Sequence, residues 1–144
     1  MEKQEFEVRF ITEFPPEFLR AARELYLENN WIDASAAPDF PRNAFAGSFL
    51  VAAAFAPDGR LAGVGRSLSD GVSDAFIQDV MTAKVFRRRG VGRLVTTALV
   101  KELKRRGVDW IGLVGVPGTE KFYASCGLVS IPGHTLWMAE EPKR

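Results

Sequence analysis

Arg87-Arg88-Arg89-Gly90-Val91-Gly92-Arg93 separates two stretches of different periodicity, and its position between them decides how the rest of the chain is read. Before it, Asp74 to Thr82 reads as a strand. After it, Val91, Leu94, Val95, Ala98, Leu99 and Leu103 recur on one face of a helical period, while Arg93, Lys101, Lys104 and Arg105 fall elsewhere. A helix is therefore predicted from Val91 to Arg106, with Gly107 as its stop. A strand that ends in a basic, glycine-containing turn and feeds a helix creates an anion site for two separate reasons. The first-turn N–H groups have no acceptor inside the helix, and the helix dipole places partial positive charge at the same end. Gly90 and Gly92 let the backbone approach oxygen atoms closely and take positive φ. The arginines add charge and paired donors. The bland alternative is a solvated basic turn that the glycines merely permit, and it is outweighed by the strand before and the helix after.

Outward from the loop, Ser48 to Ala56 and Leu61 to Leu68 read as a hairpin about Pro57-Asp58-Gly59. A second break at Ser69-Asp70-Gly71 leads into the Asp74 strand, so three successive strands predict an antiparallel meander. Upstream, Glu7 to Ile11 reads as a first strand, and Pro15-Pro16 opens a helix to about Asn29, proline being tolerated in the first turn. Phe18, Ala22, Leu25 and Tyr26 give that helix one buried face. Ala36 to Ala46 reads as a short helix and loop. Downstream, Val108 to Gly115 predicts a buried strand, Pro117 to Ser125 a short helix, and Leu128 to Ile131 with Thr135 to Ala139 a closing pair of strands. The order predicts a mixed α/β domain around one sheet.

Length and charge narrow the partners. A chain of 144 residues fits one domain, 1–144, with a core that needs no disulfide or metal, and the single Cys126 agrees. A formal net charge of +1 argues against a broad surface for nucleic acid or an anionic membrane. Nine of the nineteen Lys and Arg lie between Lys84 and Arg106, which locates the anion partner. Met1-Glu2-Lys3-Gln4-Glu5 lacks the apolar centre of a signal peptide, and no run approaches the ~18 apolar residues of a spanning helix. A soluble cytoplasmic protein is expected.

Two familiar phosphate loops fail on spacing. Gly-x-x-x-x-Gly-Lys-Ser/Thr meets Val95-Thr96-Thr97 where Gly-Lys-Thr should stand. A dinucleotide fingerprint needs a third glycine at Val95 and an early place in a parallel βαβ unit, not one after a meander.

The residues instead resemble the GNAT N-acetyltransferase superfamily, whose motif runs Gln/Arg-x-x-Gly-x-Gly/Ala between a strand and a long helix. Arg87, Gly90 and Gly92 match its fixed places, and Phe122-Tyr123-Ala124-Ser125-Cys126-Gly127-Leu128 is similar to the family's Phe-Tyr-x-x-x-Gly-Phe/Leu segment. The resemblance covers nearly the whole chain. It implies a central, mostly antiparallel six- or seven-stranded sheet flanked by about four helices, with acetyl-coenzyme A as co-substrate and no metal. One departure is Val116-Pro117-Gly118, where members often carry an Asn that contacts the cofactor.

What the resemblance implies for individual residues follows. Arg87, Arg88, Arg89, Gly90, Val91, Gly92 and Arg93 would hold the cofactor's pyrophosphate. The main chain of Val80, Met81 and Thr82 would pair with the pantetheine arm and polarise the thioester carbonyl. Tyr123 would protonate the departing thiolate, since a phenol with a reference pKa of about 10 is a suitable donor. The alternative for Tyr123 is a core aromatic with its hydroxyl at the surface. Asp79, a carboxylate in an otherwise apolar strand, is the candidate general base or holder of a water, against a structural hydrogen bond. Gln78 is expected on the opposite sheet face, where it would contact the acceptor. Trp31, with Phe40 and Phe45, would form an apolar acceptor pocket to which Asp33 or Asp39 attracts an ammonium group.

The remaining candidates read as structural. Lone His134, beside Pro132-Gly133, suits a turn and supports neither a metal site nor a Ser-His-Asp constellation. Cys126 reads as a small apolar filler, Met81 and Met138 as core, and Trp110 and Trp137 as core aromatics. The sequence thus predicts direct acetyl transfer, in a ternary complex, to a primary amine of a small molecule. A non-catalytic coenzyme A sensor or interaction module is the alternative. A nucleic-acid domain using Arg87 to Arg93 suits the local charge but lacks a stacking platform. Dimerisation is common in the family, and no exposed apolar stripe in the sequence proves it here.

Overall fold

The computed structural model describes residues 5–141. Strand β1 (Glu7–Phe10) is followed by helix α1 (Pro16–Glu28) and a short helix α2 (Arg42–Ala46). The meander β2 (Leu50–Phe55), β3 (Leu61–Ser69) and β4 (Asp74–Thr82) comes next. A 3₁₀ turn at Lys84–Phe86 leads into helix α3 (Val91–Arg105), then β5 (Trp110–Gly112) and α4 (Glu120–Ser125). The five strands form one sheet in the order β1-β2-β3-β4-β5, antiparallel except for the β4–β5 pair. The predicted mixed α/β class, the mostly antiparallel sheet and the four flanking helices are all present.

Helices cover the two faces of the sheet. Gly63 and Gly65 on β3 present no side chain, so Val91 and Val95 of α3 sit directly against the strand; a Cβ at either glycine would fall within 3 Å of a valine methyl. Arg66, next along, faces the other side, where it and Tyr26 of α1 both bond Asp79. The core includes Leu99 and Leu103 of α3 with Ala52, Ala53 and Val64 of the sheet, and on the α1 side the rings of Phe18 and Tyr26 pack with Phe45. Each such fully buried Leu or Val contributes about 1.5–3 kcal/mol.

Among the described residues the sheet has five strands where six or seven were expected. Residues 128–131 and 135–139 do not pair, and β5 spans Trp110–Gly112 where a strand to Gly115 was expected. A strand needs a ladder partner, and a three-residue β5 offers almost none. Pro117-Gly118 then turns the chain away, with Gly118 at φ +90°, and Pro132 removes a donor from the middle of the closing pair. Trp137 is 88% exposed, and Trp110 and Met138 are also exposed, so none of these three belongs to the core. Met81, at 1%, does.

Candidate active site

The loop after the 3₁₀ turn is shaped by two left-handed residues, Arg88 at φ 63° and Gly90 at φ 82°. Gly90 is the N-cap of α3 and offers no side chain to satisfy the helix end. The first helical bond runs from the Leu94 N–H to the Gly90 carbonyl at 3.0 Å. The N–H groups from Arg88 to Arg93 therefore have no acceptor among the described residues, a cradle whose chemistry fits an anionic diphosphate. A Cβ on Gly90 would meet nothing within 4 Å, so its positive φ is what calls for glycine.

Gly92 is constrained by space instead. A Cβ there would lie 3.1 Å from Cζ of Phe122 and 3.5 Å from Oγ1 of Thr82. The missing side chain thus brings three elements to one locus: the loop, the end of β4 and the aromatic pair of α4. Phe122 and Tyr123 pack edge-on with centroids 4.9 Å apart. Tyr123 is half-buried, its ring against Gly115, and its hydroxyl bonds to no described residue. Burial, and then neighbouring Cys126, push its phenol above the ordinary tyrosine range, so it stays protonated.

Beside this locus β4 is kinked. Val64 pairs with Met81 and Arg66 with Gln78, so Gly65 faces two residues, Asp79 and Val80. Asp79 takes φ 54° at this bulge. β5 pairs only with Asp74, Ala75 and Phe76, and the outer edge of β4 beyond Phe76 has no ladder partner among the described residues. The main chain of Val80, Met81 and Thr82 is left on that unpaired edge.

The family model for the acetyltransferase (GNAT) family matches residues 7–128. The chain belongs to the acetyltransferase (GNAT) family. Among curated relatives, the chain is 33% identical over 84 residues to an uncharacterized N-acetyltransferase of Porphyra purpurea, covering 58% of this chain and 48% of that protein. It is 33% identical over 81 residues to the chloroplastic serotonin N-acetyltransferase 2 of Oryza sativa subsp. japonica, covering 56% and 40%. The chain thus spans about half or less of the length of these relatives. Among solved structures, glucosamine-6-phosphate N-acetyltransferase from Arabidopsis thaliana superposes with TM-score 0.72 at 18% identity, covering 96% of this chain and 99% of that one. A probable acetyltransferase from Staphylococcus aureus gives TM-score 0.73 at 16% identity, covering 94% and 100%. At these identities the structures show that the fold is shared.

Within the GNAT fold the arginines of the loop divide. Arg89 forms an ion pair with Glu5, and its guanidinium lies 5.2 and 5.4 Å from the ring centroids of Phe6 and Phe86. Its side chain is committed to the base of the loop. Arg87 makes one long contact, 3.5 Å to Asn29, while Arg88 and Arg93 are exposed and bond to no described residue.

Asp79 and Gln78 both meet Arg66. Arg66 Nε donates to Asp79 Oδ2 at 2.7 Å, and an Arg66 terminal nitrogen lies 3.3 Å from Gln78 Oε1. The expected opposite facing of Gln78 does not hold, because the left-handed turn at Asp79 breaks strand alternation. The Tyr26 hydroxyl also donates to Asp79 Oδ2, at 2.8 Å. Trp31 and Phe40 are half-buried against the Tyr26 ring, with centroids at 6.2 and 5.0 Å. Phe45 is fully buried core and lines nothing. Asp33 is exposed and bonded by Ser35, which lowers its pKa, and Asp39 is exposed. Neither is drawn into the cluster. Sequence reasoning missed Arg66 and Tyr26. The available signal was an arginine in an apolar strand, which needs a buried counter-charge nearby.

His134 sits in an exposed turn, its ring nitrogen 3.3 Å from the Pro132 carbonyl. Cys126 is half-buried, and its thiol is pushed up by burial. Among the described residues, no helix is long and apolar enough to cross a membrane.

Proposed function

We propose that this GNAT protein transfers the acetyl group of acetyl-coenzyme A to a primary amine of a small molecule, directly within a ternary complex. The free N–H groups of Arg88 to Arg93, with the Arg87, Arg88 and Arg93 side chains, hold the cofactor's diphosphate. The open edge at Val80, Met81 and Thr82 pairs with the amides of the pantetheine arm as an added strand would, and one N–H there donates to the thioester carbonyl. Acetyl-coenzyme A supplies an activated acyl group. Tyr123 keeps its proton at working pH and gives it to the departing thiolate. Asp79 receives the amine's proton at Oδ1, directly or through a water, since both of its described side-chain bonds fall on Oδ2. Trp31, Phe40 and Gln78 contact the acceptor.

The observation that carries this reading is the packing of Gly92 between Phe122 and Thr82, which joins an anion cradle, an open strand edge and a phenol in one place. The test is calorimetric titration with acetyl-coenzyme A, followed by thiol release across aralkylamines, polyamines, aminosugars and amino acids. Binding with amine-dependent thiol release is expected. No binding overturns the proposal at its first step, and binding without release from any amine replaces it with the non-catalytic sensor. Analytical ultracentrifugation of the same sample reads whether the protein is a homodimer.

A further inference from the structure

We propose that Tyr26, Arg66 and Asp79 form a latch that fixes the bulge in β4, which makes Tyr26 and Arg66 positioning residues for acetyl transfer. The inference rests on the reading above, in which the main chain of Val80 to Thr82 meets the thioester arm.

The bulge needs an external hold. A left-handed conformation is disfavoured for an L-residue, less for Asp than for most, and Asp79 adopts it in mid-strand. The direction of β4 beyond Asp79, and so the aim of the next N–H groups, depends on that single φ. Its carboxylate is gripped from two elements. Tyr26 reaches it from α1 and Arg66 from β3, at 2.8 and 2.7 Å, on the same oxygen. The Arg66 and Asp79 side chains are only 14% and 17% exposed, so water screens the pair far less than a surface ion pair.

Each grip is itself immobilised. Tyr26 is 2% exposed, with Trp31, Phe40 and Phe45 around its ring. Burial and the neighbouring carboxylate hold its phenol protonated, which keeps it a donor. Arg66 is directly opposite Gln78 in the ladder, and its remaining nitrogens make long contacts with Gln78 and with Ser48 ahead of β2. Two elements therefore converge on the residue that turns the strand, each held by its own neighbours. The arrangement leaves Oδ1 for the acceptor amine or its water.

The test uses the full chain and the variants Tyr26→Phe, Arg66→Met and Arg66→Lys. The readouts are kcat, KM for acetyl-coenzyme A, coenzyme A affinity and the amide shifts of Val80, Met81 and Thr82 in labelled protein. Arg66→Met should lower kcat by about 10–100-fold, the scale of a small misplacement of reacting groups, with coenzyme A affinity within about threefold. Arg66→Lys should recover part of that loss, and Tyr26→Phe should cost about 5-fold. The double variant should lose less than the product of the single losses, because both act through one oxygen. In every variant the three amides should shift without coenzyme A present. Folded variants with unchanged kcat and unmoved amides overturn the latch, as does a loss of melting temperature alone. If Arg66→Met does not fold, Tyr26→Phe carries the same test. If the wild type releases no thiol with any amine, the transfer reading fails, and the amide shifts still decide the latch.

Discussion

The two sides of the cleft are built from different materials. The proposed donor side is made of backbone: free N–H groups at the start of α3, two left-handed residues and a glycine with no room for a side chain. The proposed acceptor side is made of side chains: Tyr26 and Arg66, drawn from two elements onto one carboxylate oxygen of Asp79. A backbone site tolerates many side-chain changes and fails abruptly where a Cβ intrudes. A side-chain site fails by degrees as each partner is removed.

The largest effect should therefore come from the smallest group. Gly92→Val places a branched carbon against Phe122 and should reduce acetyl-coenzyme A affinity or kcat/KM by more than about 100-fold, read by calorimetry and thiol release. Tyr123→Phe should lower kcat by about 100-fold while leaving coenzyme A affinity within about twofold, and equal turnover would remove Tyr123 from its role as acid.

The arginines sharpen the contrast within the donor side. Arg88→Ala or Arg93→Ala should weaken coenzyme A binding by about 5-fold, an effect that fades as salt is raised. Arg89→Ala should change that affinity less than about twofold and instead lower the melting temperature by a few degrees, since its side chain serves Glu5, Phe6 and Phe86. A reversed pattern would reassign the loop.

The smallest effect is one of pH. Burial, then Asp79, holds the Tyr26 phenol above its ordinary range. The unfolded chain releases this proton at about pH 10 and the folded chain only above that, so the stability contributed by Tyr26 is complete below about pH 10 and shrinks as pH rises past it. The melting-temperature gap between wild type and Tyr26→Phe should narrow from neutral pH to about pH 11. A constant gap would place the hydroxyl outside the Asp79 interaction.

The same contrast explains what could be read from the sequence. The donor loop was legible because it is local: Arg87, Gly90 and Gly92 stand at fixed spacing and the following helix has an unmistakable period. The meander was legible from Pro57-Asp58-Gly59 and Ser69-Asp70-Gly71. The latch was not, because Tyr26 and Asp79 are 53 positions apart and the left-handed turn that brings Gln78 and Asp79 to one arginine has no glycine to announce it. The closing strands were over-read for a related reason. β-propensity in Leu128 to Ile131 and Thr135 to Ala139 shows that a segment can pair, and pairing also requires an edge within reach.

The bulge in β4 also bears on how separate copies of the molecule behave toward one another. A flat, unpaired strand is a template onto which another chain's strand can add, the first step toward insoluble assemblies. The open run from Ile77 to Thr82 is a poor template of this kind because the bulge at Asp79 twists it and breaks its regular repeat. The contortion proposed to aim the strand at a slender ligand thus also disfavours the addition of a second polypeptide.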